Sequence, residues 1–422
     1  MELLKVRGGN VLSGEIQVSG AKNSVLKLMA ASVMCPGKYT ITRVPGISDV
    51  YVMSDVLREL GAQVDFGDHT LSIDTTHADK YETPYELVKK MRASIAVLGP
   101  LLGRFGKAKV SMPGGCQIGE RKLDLHFAAL EHLGVEFEIE HGVVHANAPK
   151  GLHGGRVTLD FASVGATENF MMAAVLAKGT SVIDNAAREP EIVDLANFLN
   201  DMGAKISGAG SPVITIEGVE HKDLHSVDHE TIGDRIEAGT LVVAGALCKG
   251  PVTVSGFKPE HLGLALQKIS DMGLELDYHE NGVTVKSDGK FKAIDVQTLP
   301  FPGFPTDLQA QLMVMASVAD GNSIITENVF ENRFMFAGEL VRMGAEIRVD
   351  GHHALIQGVS GLSGAPVAST DLRGGASLVL AGLIADGETE VSGLKHIKRG
   401  YEHYSEKLQS LGADIELVKT DE

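Results

Sequence analysis

The sequence predicts an α/β protein of two domains, each an inside-out barrel of three repeats with helices inside and sheets outside. Three observations predict this fold class. Two series of glycines recur about every 70 residues, which indicates six internal repeats. Each repeat contains a helix that is apolar on nearly every side and therefore requires burial all round. The chain of 422 residues is too long for one core, so two domains of three repeats are expected.

The glycines mark two helix ends in each repeat. A Leu-Gly or Met-Gly pair closes one helix, at Gly61, Gly134, Gly203, Gly273, Gly344 and Gly412. The other series, called here the helix-closing glycines, follows the apolar helix and precedes a β-rich run, at Gly37, Gly106, Gly179, Gly250, Gly321 and Gly387. Glycine adopts the positive φ that a helix end often requires. Each repeat is therefore predicted to run strand, helix, strand, helix, strand, strand.

The two helices of a repeat differ in character. The first is apolar throughout, at 25–33, 94–102, 170–176, 240–247, 312–318 and 378–385. The second, as in 55–60 and 405–411, mixes charged with apolar residues and should keep one face in solvent. Apolar helices enclosed by amphipathic strands predict the helices inside and the sheets outside.

Composition excludes several functional classes. With 38 Lys and Arg against 55 Asp and Glu, the net charge is −17, which argues against broad nucleic-acid binding. The longest apolar runs stop near ten residues, about half of a membrane span, and the N-terminus does not resemble a secretory signal, so a cytoplasmic location is expected. Three cysteines form neither a disulfide framework nor a zinc motif, and nucleotide-triphosphate and nicotinamide motifs are absent.

A charged residue recurs at the start of the apolar helix. It stands 14 or 15 residues before the helix-closing glycine, as Lys22, Arg92, Arg235, Asp307 and Arg373, whereas the third repeat has the small residues 163–167. A cation at a helix N-terminus is disfavoured by up to about 1 kcal/mol, so an anionic ligand is one reason to place it there. The alternative is that these are solvated loop residues paired with nearby acids.

Asp307 is the exception in this series. A carboxylate where the other repeats carry cations can accept a proton from a substrate hydroxyl. It is equally consistent with an ordinary aspartate at a helix N-terminus.

The glycine-rich segment 112–122 carries Cys116 close to Arg121 and Lys122. Neighbouring cations lower the pKa of a thiol and raise its reactivity, and the glycines are typical of a lid. An exposed loop with an incidental cysteine remains the alternative. Cys35 and Cys248 each lie two residues before a helix-closing glycine and are predicted to be inert core residues.

Eight segments together resemble one family. They are GAKNS at 20–24, PGGCQIGER at 113–121, DLH at 124–126, SVGATEN at 163–169, REPEI at 188–192, FPTD at 304–307, FENRFM at 330–335 and DLRGGA at 371–376. The chain closely resembles, over nearly its whole length, the UDP-N-acetylglucosamine 1-carboxyvinyltransferases, the enolpyruvyl transferases that open bacterial peptidoglycan synthesis. The resemblance implies transfer of the enolpyruvyl group of phosphoenolpyruvate to the 3′-hydroxyl of UDP-N-acetylglucosamine, with release of phosphate and without a metal or organic cofactor.

The resemblance also assigns residues. It implies that Cys116 donates a proton and can form a covalent adduct with phosphoenolpyruvate, and that Asp307 is the base. Phosphoenolpyruvate would be held by Lys22, Arg121 and Arg399, with Arg92, Arg333 and Arg373 in the same basic cleft. Further substrate contacts are implied for Asn23, Lys122, Leu123, Asp124, Leu125, Ser163, Val164 and Val329, of which the middle stretches hold the uridine diphosphate.

The family pattern further implies domains of 22–230 and of 1–21 with 231–422, which close on the sugar nucleotide bound between them. No nucleic acid, membrane or obligate protein partner is expected. Two departures affect binding residues: Lys122 replaces a usual proline, and Phe161-Ala162 replaces the Lys-Val of some members. A 5-enolpyruvylshikimate-3-phosphate synthase-like transferase and a non-catalytic sugar-nucleotide sensor remain alternatives.

Overall fold

A computed structural model describes residues 2–83, 87, 92–112 and 123–419. In these ranges, twelve α-helices and 24 β-strands form six four-stranded sheets, one for each predicted repeat. The predicted α/β fold class of six repeats is confirmed.

The first helix of each repeat is buried along almost its whole length, as predicted. In the fourth repeat every residue of the helix is buried, because small and apolar residues face neighbours on all sides. These helices are α1 (Lys22–Ala31), α3 (Leu98–Phe105), α5 (Val164–Ala174), α7 (Arg235–Leu247), α9 (Gln309–Ser317) and α11 (Leu372–Ile384). A 3₁₀ helix, Arg92–Val97, leads directly into α3.

The second helix of each repeat has one buried and one exposed face. These helices are α2 (Ser48–Glu59), α4 (Asp124–Glu131), α6 (Pro190–Asp201), α8 (Gly263–Asp271), α10 (Ala337–Arg342) and α12 (Tyr404–Ser410). The glycine of the Leu-Gly or Met-Gly pair follows each of them with φ between 86° and 109°, as the sequence predicts.

All six sheets share one strand order, in which the first two strands are parallel and the remaining pairs antiparallel. One sheet has the strand order β14 (Asp228–Glu230), β3 (Lys38–Thr42), β5 (Thr70–Asp74), β4 (Gln63–Gly67). A second has the order β6 (Glu82–Thr83), β7 (Lys107–Ser111), β9 (Val143–Asn147), β8 (Glu136–Glu140). A third has the order β10 (Arg156–Thr158), β11 (Thr180–Asp184), β13 (Val213–Glu217), β12 (Lys205–Ser207). A fourth sheet has the order β2 (Gly14–Gln17), β15 (Val252–Ser255), β17 (Gly282–Lys286), β16 (Glu275–His279). A fifth has the order β18 (Val296–Gln297), β19 (Asn322–Thr326), β21 (His353–Gln357), β20 (Glu346–Asp350). The sixth has the order β22 (Pro366–Ala368), β23 (Glu388–Ser392), β1 (Glu2–Arg7), β24 (Asp414–Lys419).

The described chain divides into two compact units, each with its own apolar core. One unit comprises 2–19 and 233–419, and the other comprises the described parts of 20–232. In the first unit, the buried helices α7, α9 and α11 pack against one another. In the second unit, α3 packs against α5. That the units are domains bounded at 22–230 stays a prediction.

Three strands belong to sheets that their place in the chain does not suggest. β2 precedes α1 but pairs with β15, and β14 precedes α7 but pairs with β3. β1 lies between β23 and β24, because only one strand follows α12 in the described chain. The predicted order of elements therefore needs a correction for the last repeat, whose missing strand is supplied by residues 2–7.

The helix-closing glycines serve two different purposes. Four of them have φ between 68° and 107°, as predicted, but Gly37 and Gly250 do not have positive φ. At these two positions another segment approaches closely: a Cβ on Gly250 would lie 1.3 Å from the Leu12 carbonyl oxygen, and one on Gly37 would lie 2.6 Å from Ser226 Cβ. Leu12 and Ser226 precede β2 and β14, so the exchanged strands explain why the expectation of positive φ is wrong here.

We expect Gly250→Ala to lower the midpoint of thermal unfolding by about 5 °C or more, because the added methyl group overlaps a backbone atom that cannot move freely. The control is Gly338→Ala in α10, where nothing lies within 4 Å of the added Cβ. That variant should unfold at the wild-type temperature or slightly above it. Equal midpoints for the two variants would contradict the close-approach explanation.

Candidate active site

A cluster of largely buried charged residues in the first unit surrounds Asp307, which lies in a 3₁₀ turn immediately before α9. Asp307 Oδ1 accepts a hydrogen bond from Arg333 Nη2 at 2.6 Å, and Oδ2 accepts one from Arg373 Nη2 at 3.1 Å. The side chains of the arginines are 4% and 3% exposed, whereas that of Asp307 is 23% exposed. The carboxylate is therefore the accessible end of the cluster.

Arg373 is the second residue of α11 and is held from several directions. The carboxylate of Asp371, the N-cap of α11, accepts hydrogen bonds from the backbone of Arg373 and Gly374. The guanidinium lies 5.2 Å from the ring centre of Tyr401. Burial lowers the pKa of Arg373, but Tyr401, Asp307 and Asp234 together raise it more, so this side chain stays charged.

Val329 and Arg399 lie in the same unit. The Val329 backbone N–H donates to Glu327 Oε1 at 2.8 Å in the loop after β19. Arg399 ends the short 3₁₀ helix Ile397–Arg399 and is partly exposed. Its place in the repeat is that of Arg333, since both stand 12 residues after a helix-closing glycine.

In the second unit, Lys22 is the first residue of α1 and Asn23 is the next. Lys22 Nζ lies 3.1 Å from Asp49 Oδ2, which is almost fully buried. Ser24 Oγ donates a hydrogen bond to Asp194, which also bonds His229 Nε2 at 2.9 Å. The start of α1 is thereby anchored on both sides. Lys22 thus has an acidic partner, but it lies in a helix with its side chain 12% exposed and not in a solvated loop, so its contact with phosphoenolpyruvate stays a prediction.

Ser163 and Val164 begin α5. Ser163 is the N-cap, and its hydroxyl accepts a hydrogen bond from Ala166 N at 3.3 Å. α4 approaches this turn so closely that a Cβ on Gly165 would lie 2.8 Å from the His126 ring. The glycine at 165 leaves room for the His126 ring, which brings the first turns of α4 and α5 together.

The second unit also contains a connecting residue to which the sequence assigned no role. Asn169, which is 1% exposed, accepts a hydrogen bond from Gly99 N at 2.7 Å, is hydrogen-bonded to His126 Nδ1 at 3.0 Å, and donates to the Ile95 carbonyl at 3.3 Å. It thereby joins α5 to α4 and to the 3₁₀ helix before α3. The predicted contacts Asp124 and Leu125 begin α4, and Leu123 is buried just before it.

A buried ion pair joins the two helices that carry Lys22 and Ser163. Lys27 Nζ of α1 lies 2.7 Å from Glu168 Oε2 of α5. Burial raises the pKa of Glu168 to about 7, although Lys27 opposes the shift. This pair and Asn169 both tie α5 to its neighbours.

Four predicted residues lie outside what the structure describes. Cys116, Arg121 and Lys122 fall in 113–122, and for Arg92 the structure describes the backbone but not the side chain. The other two cysteines are buried, as predicted: Cys35 is 1% and Cys248 is 4% exposed. Burial raises the pKa of Cys35, and it raises that of Cys248 to about 12, so both remain thiols at neutral pH.

Two features are absent from the described ranges. No helix there combines the length and the apolar character that crossing a bilayer requires. No group of three or more histidine, cysteine, aspartate or glutamate side chains in those ranges is arranged to hold a metal ion.

Comparison with curated proteins decides the family. The chain is 52% identical to UDP-N-acetylglucosamine 1-carboxyvinyltransferase 2 of Carboxydothermus hydrogenoformans, over 99% of this chain and 100% of that protein. It is 50% identical to UDP-N-acetylglucosamine 1-carboxyvinyltransferase 1 of Staphylococcus aureus over the same shares of the two chains. The chain belongs to the UDP-N-acetylglucosamine 1-carboxyvinyltransferase family. Members of this family are enolpyruvyl transferases, as the sequence predicts.

Two further comparisons place this family among related proteins. A family model described as EPSP synthase (3-phosphoshikimate 1-carboxyvinyltransferase) matches residues 6–408. The crystal structure of the enolpyruvyl transferase NikO from Streptomyces tendae aligns with a TM-score of 0.90 at 27% identity, over 100% of this chain and 99% of that one. EPSP synthase from Acinetobacter baumannii aligns with a TM-score of 0.75 at 16% identity, over 99% of this chain and 100% of that one. This likeness shows a shared fold alone.

Proposed function

We propose that the chain transfers the enolpyruvyl group of phosphoenolpyruvate to the 3′-hydroxyl of UDP-N-acetylglucosamine and releases phosphate. The observation that carries this proposal is the Asp307 cluster, a partly exposed carboxylate held by two buried arginines. Membership of a family whose relatives are named for this reaction supports the choice of substrates. The reaction would supply the first committed step of peptidoglycan synthesis.

The proposed chemistry is addition followed by elimination. In the addition, the sugar hydroxyl oxygen bonds to C2 of phosphoenolpyruvate and its proton passes to Asp307, while Cys116 delivers a proton to the methylene carbon C3. In the elimination, the bond from C2 to the phosphate oxygen breaks and the leaving phosphate takes the proton held by Asp307, while C3 returns a proton to the Cys116 thiolate, which restores the double bond and both catalytic groups. Arg333 and Arg373 fix the orientation in which the Asp307 carboxylate meets the hydroxyl, because each occupies one carboxylate oxygen.

Positive groups and helix N-termini would hold the anionic substrates. We assign Lys22, Arg121 and Arg399 to phosphoenolpyruvate, with Arg92, Arg333 and Arg373 adding positive charge, since electrostatic stabilisation of developing charge is a large part of such catalysis. Residues 121–125 and 163–164 are assigned to the uridine diphosphate, because exposed helix N–H groups favour anions. Asn23 and Val329 are assigned further contacts with the substrates. The absence of a cofactor and the cytoplasmic location stay predictions.

One comparison favours a second candidate, an EPSP synthase-like transferase, because the matching family model carries that description. The EPSP synthase structures share only 16% identity with this chain, whereas the sugar-nucleotide enzymes share about half of their residues with it. The sugar nucleotide is therefore the favoured acceptor.

Phosphate release from phosphoenolpyruvate tests the choice of acceptor. We expect turnover with UDP-N-acetylglucosamine and none with shikimate 3-phosphate. The reverse result would establish the EPSP synthase-like alternative. Binding of the sugar nucleotide without any turnover would instead support a non-catalytic sensor.

Replacement of the proposed proton donor, Cys116→Ser, should nearly abolish turnover, because a serine hydroxyl is a far weaker acid than a thiol. Affinity for UDP-N-acetylglucosamine, measured by calorimetry, should stay close to wild type. Cys248→Ala is the control and should keep wild-type kinetics, because this thiol is buried. Full activity of Cys116→Ser would remove Cys116 from the mechanism.

Removal of the proposed base, Asp307→Ala, should lower kcat by a factor on the order of 10² or more, as loss of general-base catalysis does. Steady-state phosphate release measures the effect. Asp350→Ala, at an exposed carboxylate of the same repeat, is the control and should have no effect. A kcat equal to that of wild type would show that Asp307 is not the base.

A further inference from the structure

Glu327 is a buried acid to which neither the sequence nor the family comparison assigns a role. It directly follows β19, and its side chain has no exposed surface. A buried carboxylate is costly unless hydrogen bonds replace its water shell. Its partners therefore show what the charge is used for.

Four hydrogen bonds satisfy this carboxylate. Glu327 Oε1 accepts from Thr298 Oγ1 at 2.9 Å, from Val329 N at 2.8 Å and from Phe330 N at 3.1 Å. Glu327 Oε2 accepts from Thr306 Oγ1 at 2.8 Å. One charge thus holds both the loop of Val329 and the residue that precedes Asp307.

The Thr306 hydroxyl extends this network to the Asp307 cluster. An ionised carboxylate can only accept, so Thr306 donates its proton to Glu327 and offers its oxygen lone pairs elsewhere. Arg333 Nη1 donates to that oxygen at 3.0 Å, while Arg333 Nη2 donates to Asp307 at 2.6 Å. Glu327 therefore sets the direction of the hydrogen bonds that fix Arg333 against Asp307.

The other repeats show that the fold does not require an acid here. The residue six positions after each helix-closing glycine is Arg43, Met112, Asn185, Gly256, Glu327 or Gly393. Four of these six residues have φ between 55° and 88°, namely Arg43, Asn185, Gly256 and Gly393. Glu327 does not have a positive φ. Met112 does not share it either, so repeats two and five depart from the turn of the other four, and repeat five is also the repeat in which Asp307 replaces a cation.

We propose that Glu327 is a positioning residue for the transfer reaction. Through Thr306 it holds Arg333 so that Arg333 presents the Asp307 carboxylate to the acceptor hydroxyl, and through backbone N–H groups it shapes the loop of Val329. This inference rests on the proposed function, in which Asp307 is the base. Glu327 does not itself touch the substrates.

The test is Glu327→Gln, which keeps the shape of the side chain but removes its charge and places an NH₂ group among four donors. We expect kcat for UDP-N-acetylglucosamine to fall by about 10- to 100-fold, as small displacements of catalytic groups do, with a smaller change in the KM for phosphoenolpyruvate. The acidic limb of the kcat–pH profile should move to higher pH, because a carboxylate with a displaced guanidinium is protonated more easily. The matched control, Glu346→Gln, alters an exposed glutamate of β20 and should change neither.

A second pair of variants covers the case in which Glu327→Gln does not fold. Thr306→Val removes the hydroxyl that links Glu327 to Arg333, whereas Thr306→Ser retains it. We expect Thr306→Ser to keep at least about tenfold more kcat than Thr306→Val, with only the valine variant showing the pH shift. Equal kcat values and pH profiles for these two variants would overturn the positioning role.

The two proposals fail separately. Lack of turnover by the wild-type protein with UDP-N-acetylglucosamine would refute the proposed function. If the wild type is active and Glu327→Gln has the same kcat and pH profile as Glu346→Gln, only the proposed role of Glu327 is refuted.

Discussion

The pairing of one carboxylate with two buried guanidiniums is the constraint around which the first unit is arranged. Arg333 and Arg373 are almost fully buried, and Asp307 is the anion that contacts both. Charges so poorly solvated require a partner and well-directed hydrogen bonds. The cap of α11, the ring of Tyr401 and the Thr306 hydroxyl supply that direction. The resulting carboxylate has a fixed orientation and one accessible end.

The charged pair at Asp307 has a counterpart at equivalent positions of another repeat. Lys22 and Asp49 form an ion pair from positions 15 residues before and 12 residues after Gly37. Asp307 and Arg333 form a pair from nearly the same positions around Gly321, with the charges reversed. The backbone of the repeat therefore brings these two positions together, and each repeat places different chemistry there. The carboxylate proposed as the base therefore lies where one repeat departs from the others.

Glycine spacing and apolar periodicity were enough to predict the fold class, the six repeats and the buried helices, because these depend on local sequence. The close approaches at Gly37 and Gly250 were not predictable in this way, since they involve segments distant in the chain. The same holds for Asn169, whose partner Gly99 is 70 residues away. Asp307 was found because it breaks a pattern of charge. Glu327 breaks a pattern of backbone conformation, which only coordinates display.

The position of β1 in the last sheet has a consequence for biosynthesis. Both strands that pair with it, β23 and β24, emerge from the ribosome long after it, since Lys5 and its partner Glu388 are 383 residues apart. Leu4 and Val6, which are buried in the folded chain, therefore lack their native neighbours until β23 and β24 have been translated. Contacts so distant in sequence are slow to form and leave apolar strands open to wrong partners. Protection of β1 during this interval would keep it available for its native sheet.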